Sequence, residues 1–244
     1  LARLLRGTAT HRNSGLWHGH EDRLHERVAP GDTVARIPVD GRASLLDLIE
    51  RHARIHACER FVHDHFEELG GFGQREAVAY EERGFVNQSL SHLDAAIADF
   101  TRVIELRPDY GLAYSDRADS LRVKAGLATS EPERASQYER SVADYDKAVQ
   151  LGGLGQREAL AHANRGFALY YLGRLDAAIA DFTEAIEIVP GAPFFFSSRA
   201  IAYADNKQCS SAIADAEKAS SLTDDPALAL QVQGVRDYIA RKCK

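Results

Sequence analysis

Residues 158–191 read EALAHANRGFALYYLGRLDAAIADFTEAIEIVPG. The pattern predicts two helices of about 14 residues joined at Leu172-Gly173-Arg174. Small residues (Gly166, Ala178, Ala185) fall where two helices must approach closely, and Leu169, Tyr170, Leu172, Ile179, Phe182 and Ile186 fill the space between them. Pro190 stops the second helix, because proline has no amide proton and disfavours helix in the residue before it. A unit this small cannot bury its own apolar face and therefore needs neighbours.

The neighbours are present. Residues 69–109 (LGGFGQREAVAYEERGFVNQSLSHLDAAIADFTRVIELRPD) align without a gap on residues 151–191, 82 positions later. Weaker copies begin near Tyr110 and Ala192. Gly84 and Ala118 are 34 residues apart, as are Gly166 and Ala200. Repeat three supplies Gly166, Leu169, Ala178, Phe182, Ala185 and Pro190. Repeat one supplies Tyr80, Gly84, Ala96, Phe100 and Pro108, with Val103 in place of the last Ala. Repeat two has Tyr114, Ala118, Leu121, Tyr145 and Ala148. Repeat four has Phe196, Ala200, Tyr203, Ala212 and Ala219, with Ala216 in place of its aromatic and Pro226 coming late.

A 34-residue helix–turn–helix period with small and aromatic residues at these places resembles the tetratricopeptide repeat (TPR) family over roughly residues 75–225. The resemblance implies an all-α fold: a right-handed α-solenoid of four TPR helix pairs with an N-terminal and a C-terminal capping helix. The expected organisation is an irregular arm over 1–42, a capping helix over 43–70, four repeats over 71–226 and a capping helix over 227–244. The 82-residue offset requires one ordinary repeat and one enlarged by about 14 residues. The enlargement is placed in the inter-helix turn of repeat two, at about 125–137 (AGLATSEPERASQ). Thr129-Ser130-Glu131-Pro132 there reads as a helix start with Pro in the first turn. Such an insertion is either a docking lip or a neutral elaboration.

Before the repeats, Gly and Pro punctuate residues 1–42, and no helical or strand period is sustained. From Ser44, Leu45, Leu48, Ile49, His52, Ile55, Val62, Phe66 and Leu69 form one helical stripe. His52, His56 and His63 share a face of that helix with Glu59 near them, which makes them candidate metal ligands. They do not close a tetrahedral site unless His18 and His20 fold over, and packed, hydrogen-bonded histidines are the plainer reading. After the repeats, Asp225-Pro226 opens a last amphipathic helix that shields the end of the solenoid.

Composition narrows the function. A formal charge of −6 argues against a general nucleic-acid binder. No apolar run is long enough to span a membrane, and LARLL at the start is too short and too charged for a signal peptide. The three cysteines (Cys58, Cys209, Cys243) are far apart and odd in number, so no disulfide framework is expected and a reducing, cytoplasmic location fits. The chain contains no methionine. No phosphate-cradling loop, catalytic Ser/His/Asp frame or HExxH is found, and the duplicated Gly-Gly-x-Gly segments at 70–73 and 152–155 read as repeat linkers. Neither an enzyme nor a cofactor is expected.

The resemblance implies a binding module whose first helices line a concave groove for a peptide or helix. At the family's groove positions stand Val78, Glu81, Glu82 and Phe85 in repeat one, and Leu112, Ser115, Asp116 and Asp119 in repeat two. Repeat three places Leu160, Ala163, Asn164 and Phe167 there, with Tyr170 at the edge, and repeat four places Phe194, Ser197, Ser198 and Ile201. Relatives that grip a chaperone tail's C-terminal carboxylate carry Lys, Asn and Arg at such positions. Only Asn164 resembles that clamp, so no carboxylate clamp is expected. The expected partner is a protein or peptide with apolar and basic residues, the groove aromatics serving either ligand contact or packing between repeats. A metal-binding regulatory protein, or an enzyme using the His-rich N-terminal region, is the alternative. Arg83, Arg117, Arg165 and Arg199 recur at one position in all four repeats, which favours a structural role.

Overall fold

The computed structural model describes residues 73–244. The arm over 1–42, the helix over 43–70 and the histidines His52, His56 and His63 lie outside the described residues. The described part is all helical, apart from its turns. Repeat one comprises α1 (Gly73–Ser89) and α2 (Leu93–Leu106), and repeat two α3 (Gly111–Leu127) and α4 (Glu131–Leu151). A 3₁₀ turn (Gly155–Arg157) precedes repeat three, α5 (Glu158–Tyr171) and α6 (Leu175–Ile188). Repeat four is α7 (Pro193–Asp205) and α8 (Cys209–Ser221), followed by α9 (Pro226–Lys242). Each helix packs on the ones before and after it, and α3 also touches α5, as α7 touches α9. This is an α-solenoid.

The helices form where the apolar period requires them. In α6, Ala178, Asp181, Phe182, Ala185 and Ile186 are buried, a spacing that puts them on one stripe. α6 ends at Ile188, and Pro190 follows at once. The small residues allow the close approach: a Cβ at Gly84 would stand 2.7 Å from the Phe100 ring, and one at Gly166 would stand 3.0 Å from Phe182. Core clusters draw on adjacent repeats together. Ala77 and Val103 of repeat one pack with Ala113 of repeat two, and Ala118, Tyr145 and Ala148 of repeat two with Ala161 of repeat three.

A buried aspartate interrupts the apolar stripe of each second helix, and the recurrent arginine explains it. Arg83 pairs with Asp99, Arg117 with Asp144, Arg165 with Asp181 and Arg199 with Asp215, each through two guanidinium nitrogens at 2.5–3.1 Å. Bidentate geometry of this kind is specific to arginine. The remaining nitrogen reaches back one repeat: Arg117 Nη1 donates to Thr101, Arg165 Nη1 to Asp146 and Arg199 Nη1 to Thr183. Each of these three arginines thus ties the two helices of its own repeat to the repeat before.

The same pair locates the extra residues of repeat two. Arginine and aspartate are 16 residues apart in repeats one, three and four, and 27 apart in repeat two. Eleven additional residues therefore lie in the hairpin, about three helical turns, and the rest in the linker that forms the 3₁₀ turn. The hairpin residues do not make a long loop. They lengthen both helices, so that only Ala128-Thr129-Ser130 is turn. Ser130 caps α4 by accepting the amide of Glu133, and Pro132 sits in the first turn. Tyr138, on the lengthened part of α4, stacks on Tyr171 at 5.1 Å, and Arg174 pairs with Glu139 at 2.5 Å.

Cysteine behaves differently from the sequence expectation. Cys209, the first residue of α8, is disulfide-bonded to Cys243, just beyond α9. Cysteine usage therefore gives no support to a reducing compartment, since stable disulfides belong to oxidising ones. No helix among the described residues is long and apolar enough to cross a membrane.

Removing one partner of a buried ion pair leaves the other uncompensated. Asp181→Ala should destabilise the solenoid by about 3 kcal/mol in urea unfolding, whereas Arg165→Met with Asp181→Leu should stay within about 1 kcal/mol of wild type. Burial raises the Asp181 carboxyl, but hydrogen bonds from Arg165 and His162 outweigh it and hold the carboxyl below its ordinary value of 3.8. The folded chain thus takes up this proton at lower pH than the unfolded chain. The contribution is complete above the unfolded value and is lost as pH falls through the folded one, so the Asp181→Ala penalty should shrink below about pH 4.

Candidate functional site

The surface of interest is made by the first helices, α1, α3, α5 and α7. Val78 is 49% exposed. Glu82, Phe85, Leu112, Asp119, Leu160, Asn164, Tyr170, Phe194 and Ser197 are half-buried. Glu81, Ser115, Asp116, Ala163, Phe167, Ser198 and Ile201 are buried. Two contacts bring expected site residues of different repeats together. The ring of Phe167 lies 5.6 Å from that of Phe194, and Asn164 Nδ2 donates to Asp119 at 2.8 Å. Phe85 and Phe167 also meet the second-helix aromatics Phe100 and Phe182 edge-on, at 5.4 and 5.0 Å. Tyr170 donates to Asp205 at 2.5 Å and stands edge-on to Tyr171.

The carboxylates of this surface have partners within the chain. Tyr110 donates to Glu81 at 2.8 Å. Tyr145 and Asn164 donate to Asp119, and Arg122 stands 3.9 Å from it. Asp116, 1% exposed, is ion-paired with Arg157 of the 3₁₀ turn. Glu81 and Asp116 therefore do not stand open to a partner's cation as the sequence pattern suggests. Tyr110, which donates to Glu81, Tyr145 and Arg122 beside Asp119, and Arg157, which pairs with Asp116, lie off the groove positions, and those positions alone do not reveal them. The signal for Arg157 was its place in the linker that repeat two alone lengthens.

Electrostatics follow burial here. Desolvation pushes the Asp116 carboxyl up to about 7, although Arg157 pulls it the other way, and Asp119 and Glu81 add like charge. Desolvation and Glu81 raise the Tyr110 phenol, and desolvation and Asp119 raise that of Tyr145, so both remain donors at neutral pH. Among the described residues no group of three or more His, Cys, Asp or Glu is arranged to hold a metal ion. A folded carboxyl that keeps its proton to about 7 binds it more tightly than the unfolded chain does, so its contribution is present at low pH and lost as pH rises through that value. Asp116→Asn removes this titration. The stability of wild type relative to Asp116→Asn should fall by about 2 kcal/mol between about pH 5 and pH 7, measured by urea unfolding across that range.

Comparison with known proteins gives the same architecture. Family models described as tetratricopeptide repeat match residues 77–110 and 159–191. Among solved structures, a thermophilic TPR protein of Thermus thermophilus is 18% identical with a TM-score of 0.54, over 81% of this chain and 93% of that one. MamA is 13% identical with a TM-score of 0.55, over 82% of this chain and 99% of that one. PilW, a type IV pilus biogenesis factor, is 17% identical with a TM-score of 0.56, over 82% and 86%. At these identities the likeness is one of fold. Two of the four helix pairs are thus matched directly as tetratricopeptide repeats, and the solenoid shares its fold with these proteins.

Proposed function

We propose that the chain is a protein-interaction module that holds a peptide or helix along the surface of α1, α3, α5 and α7, without a carboxylate clamp and without catalysis. The observation that supports this most directly is the half-exposed apolar row across repeats. Leu112, Leu160 and Phe194 remain partly open, and Phe167 links repeat three to repeat four through Phe194. Side chains at regular intervals along successive first helices suit an extended or helical segment. Asn164, the one clamp-like residue, is engaged by Asp119, which supports the reading without a clamp.

The internal pairing of Glu81, Asp116 and Asp119 shifts the weight of recognition. Apolar contact carries the affinity, and basic residues of the partner respond to the negative field of the cluster. Buried aromatic and aliphatic anchors at the centre of an interface dominate its energy, while paired rim charges add little.

The test is selection of a displayed random-peptide library on the full chain, followed by titration of a selected peptide. Selected sequences should be rich in apolar residues with Lys or Arg beside them. Leu112→Ser and Leu160→Ser should each weaken binding by about tenfold, with Ile213→Ser on α8 as the unaffected control. Selection of no common pattern, or equal affinity for all three variants, would overturn the proposal.

A further inference from the structure

The last helix is thinly packed. Of its 17 residues only Val232, Val235 and Ile239 are buried, whereas α3, of the same length, buries eight. Leu230 is 74% exposed. Its C-terminal end is instead tied by polar and covalent links. Tyr238 donates to Asp205 at 2.6 Å, and Lys242 pairs with the same carboxylate at 2.8 Å. Asp205 also accepts from Tyr170, at the edge of the proposed groove. One residue beyond the helix, Cys243 is bonded to Cys209, and both are half-exposed, within reach of a reductant.

Viewed as a ligand, α9 offers a specific pattern. It presents an apolar stripe at Val232, Val235 and Ile239, a tyrosine at 238 and a cation at Lys242. They seat on α7 and α8, and Asp205 receives the cation. This is the apolar-plus-basic chemistry proposed for the partner.

We propose that α9 is an internal ligand latched by the Cys209–Cys243 disulfide, and that reduction releases it so that a partner helix of the same pattern takes its place. That pattern is apolar residues at i, i+3 and i+7 with Lys or Arg at i+10. The proposal rests on the groove reading, because the seat of α9 continues the row of first helices from α7. The reductant is a dithiol. It supplies two electrons and two protons, the Sγ–Sγ bond breaks, Cys209 and Cys243 become thiols, and the reductant leaves as its own disulfide. Without the bond, the unfolded α9 is no longer held in a closed loop, and three buried side chains with one shared carboxylate are left to seat it. Asp205 then loses two of its three donors whenever α9 leaves. A partner's cation restores that pairing.

The experiment uses the full chain and a fluorescent peptide of residues 226–244 carrying Cys243→Ser, titrated before and after dithiothreitol. Reduction should tighten peptide binding at least about tenfold, and reoxidation should reverse the change. Cys209→Ser with Cys243→Ser should bind like the reduced chain, its fold checked by circular dichroism. Asp205→Asn should weaken binding to the reduced chain. Amide exchange over residues 226–242 should quicken on reduction. Unchanged exchange, or equal peptide affinity in both redox states, would overturn the latch, and these readouts use no library peptide. Failure to select a library peptide while exchange still responds to reduction would count against the groove reading and leave the latch standing.

Discussion

The solenoid depends on one bidentate ion pair used four times. A TPR hairpin has two helices whose apolar stripes face each other, and apolar contact alone leaves their axial register loosely set. The arginine at residues 83, 117, 165 and 199 reaches across to one aspartate of the second helix with two nitrogens, which fixes both distance and rotation. From repeat two onward its third nitrogen goes to the previous repeat. A single residue type thereby sets the fold of a repeat and its stacking. Local surroundings vary around this constant. Aromatic rings lie near the guanidinium in repeats one, two and four (Tyr80, Tyr114, and Phe196 with Tyr203), at 5.2–5.8 Å. Repeat three has His162 in that place, which instead approaches Asp181 at 3.4 Å.

The constancy of this pair explains how repeat two tolerates enlargement. Eleven residues added to an α-hairpin are three turns, so both helices return to the same face and the arginine still meets its aspartate. A number far from a whole count of turns would rotate the pair apart. The added length is used: Tyr138 and Glu139 touch the turn region of repeat three. The linker that follows carries Arg157 into the carboxylates between repeats one and three. Asp116 would otherwise be a buried charge without compensation, and even with Arg157 beside it desolvation keeps its affinity for a proton high.

Much of the fold was legible in the residues because solenoid contacts are local and periodic. Gly84 and Gly166 opposite Phe100 and Phe182, Pro190 after α6, and the recurrent arginine all state their roles in the sequence. The division of the extra residues between hairpin and linker was less legible. Periodicity gives the sum, and only the Arg117–Asp144 contact shows where the hairpin share lies. The candidate site was read less well. Groove positions identify which residues share a surface, but they do not reveal that Tyr110, Tyr145 and Arg157, at other positions, have already claimed Glu81, Asp119 and Asp116. Each of these pairs bridges two elements, so neither partner's local context predicts it.

The cysteines show how periodicity could have been pressed further. Cys209 and Cys243 are separated by 34 residues, one repeat period. In a stack with that period, residues one period apart occupy equivalent places on adjacent units, which is the separation a disulfide spans when the units touch. Counted as a total, three cysteines look odd and scattered; counted modulo the repeat, two of them coincide. The pairing places α9 where the first helix of a fifth unit would stand. The helix packs on both α7 and α8 and leaves Leu230 exposed, and the covalent bond ties its C-terminal end to the start of α8.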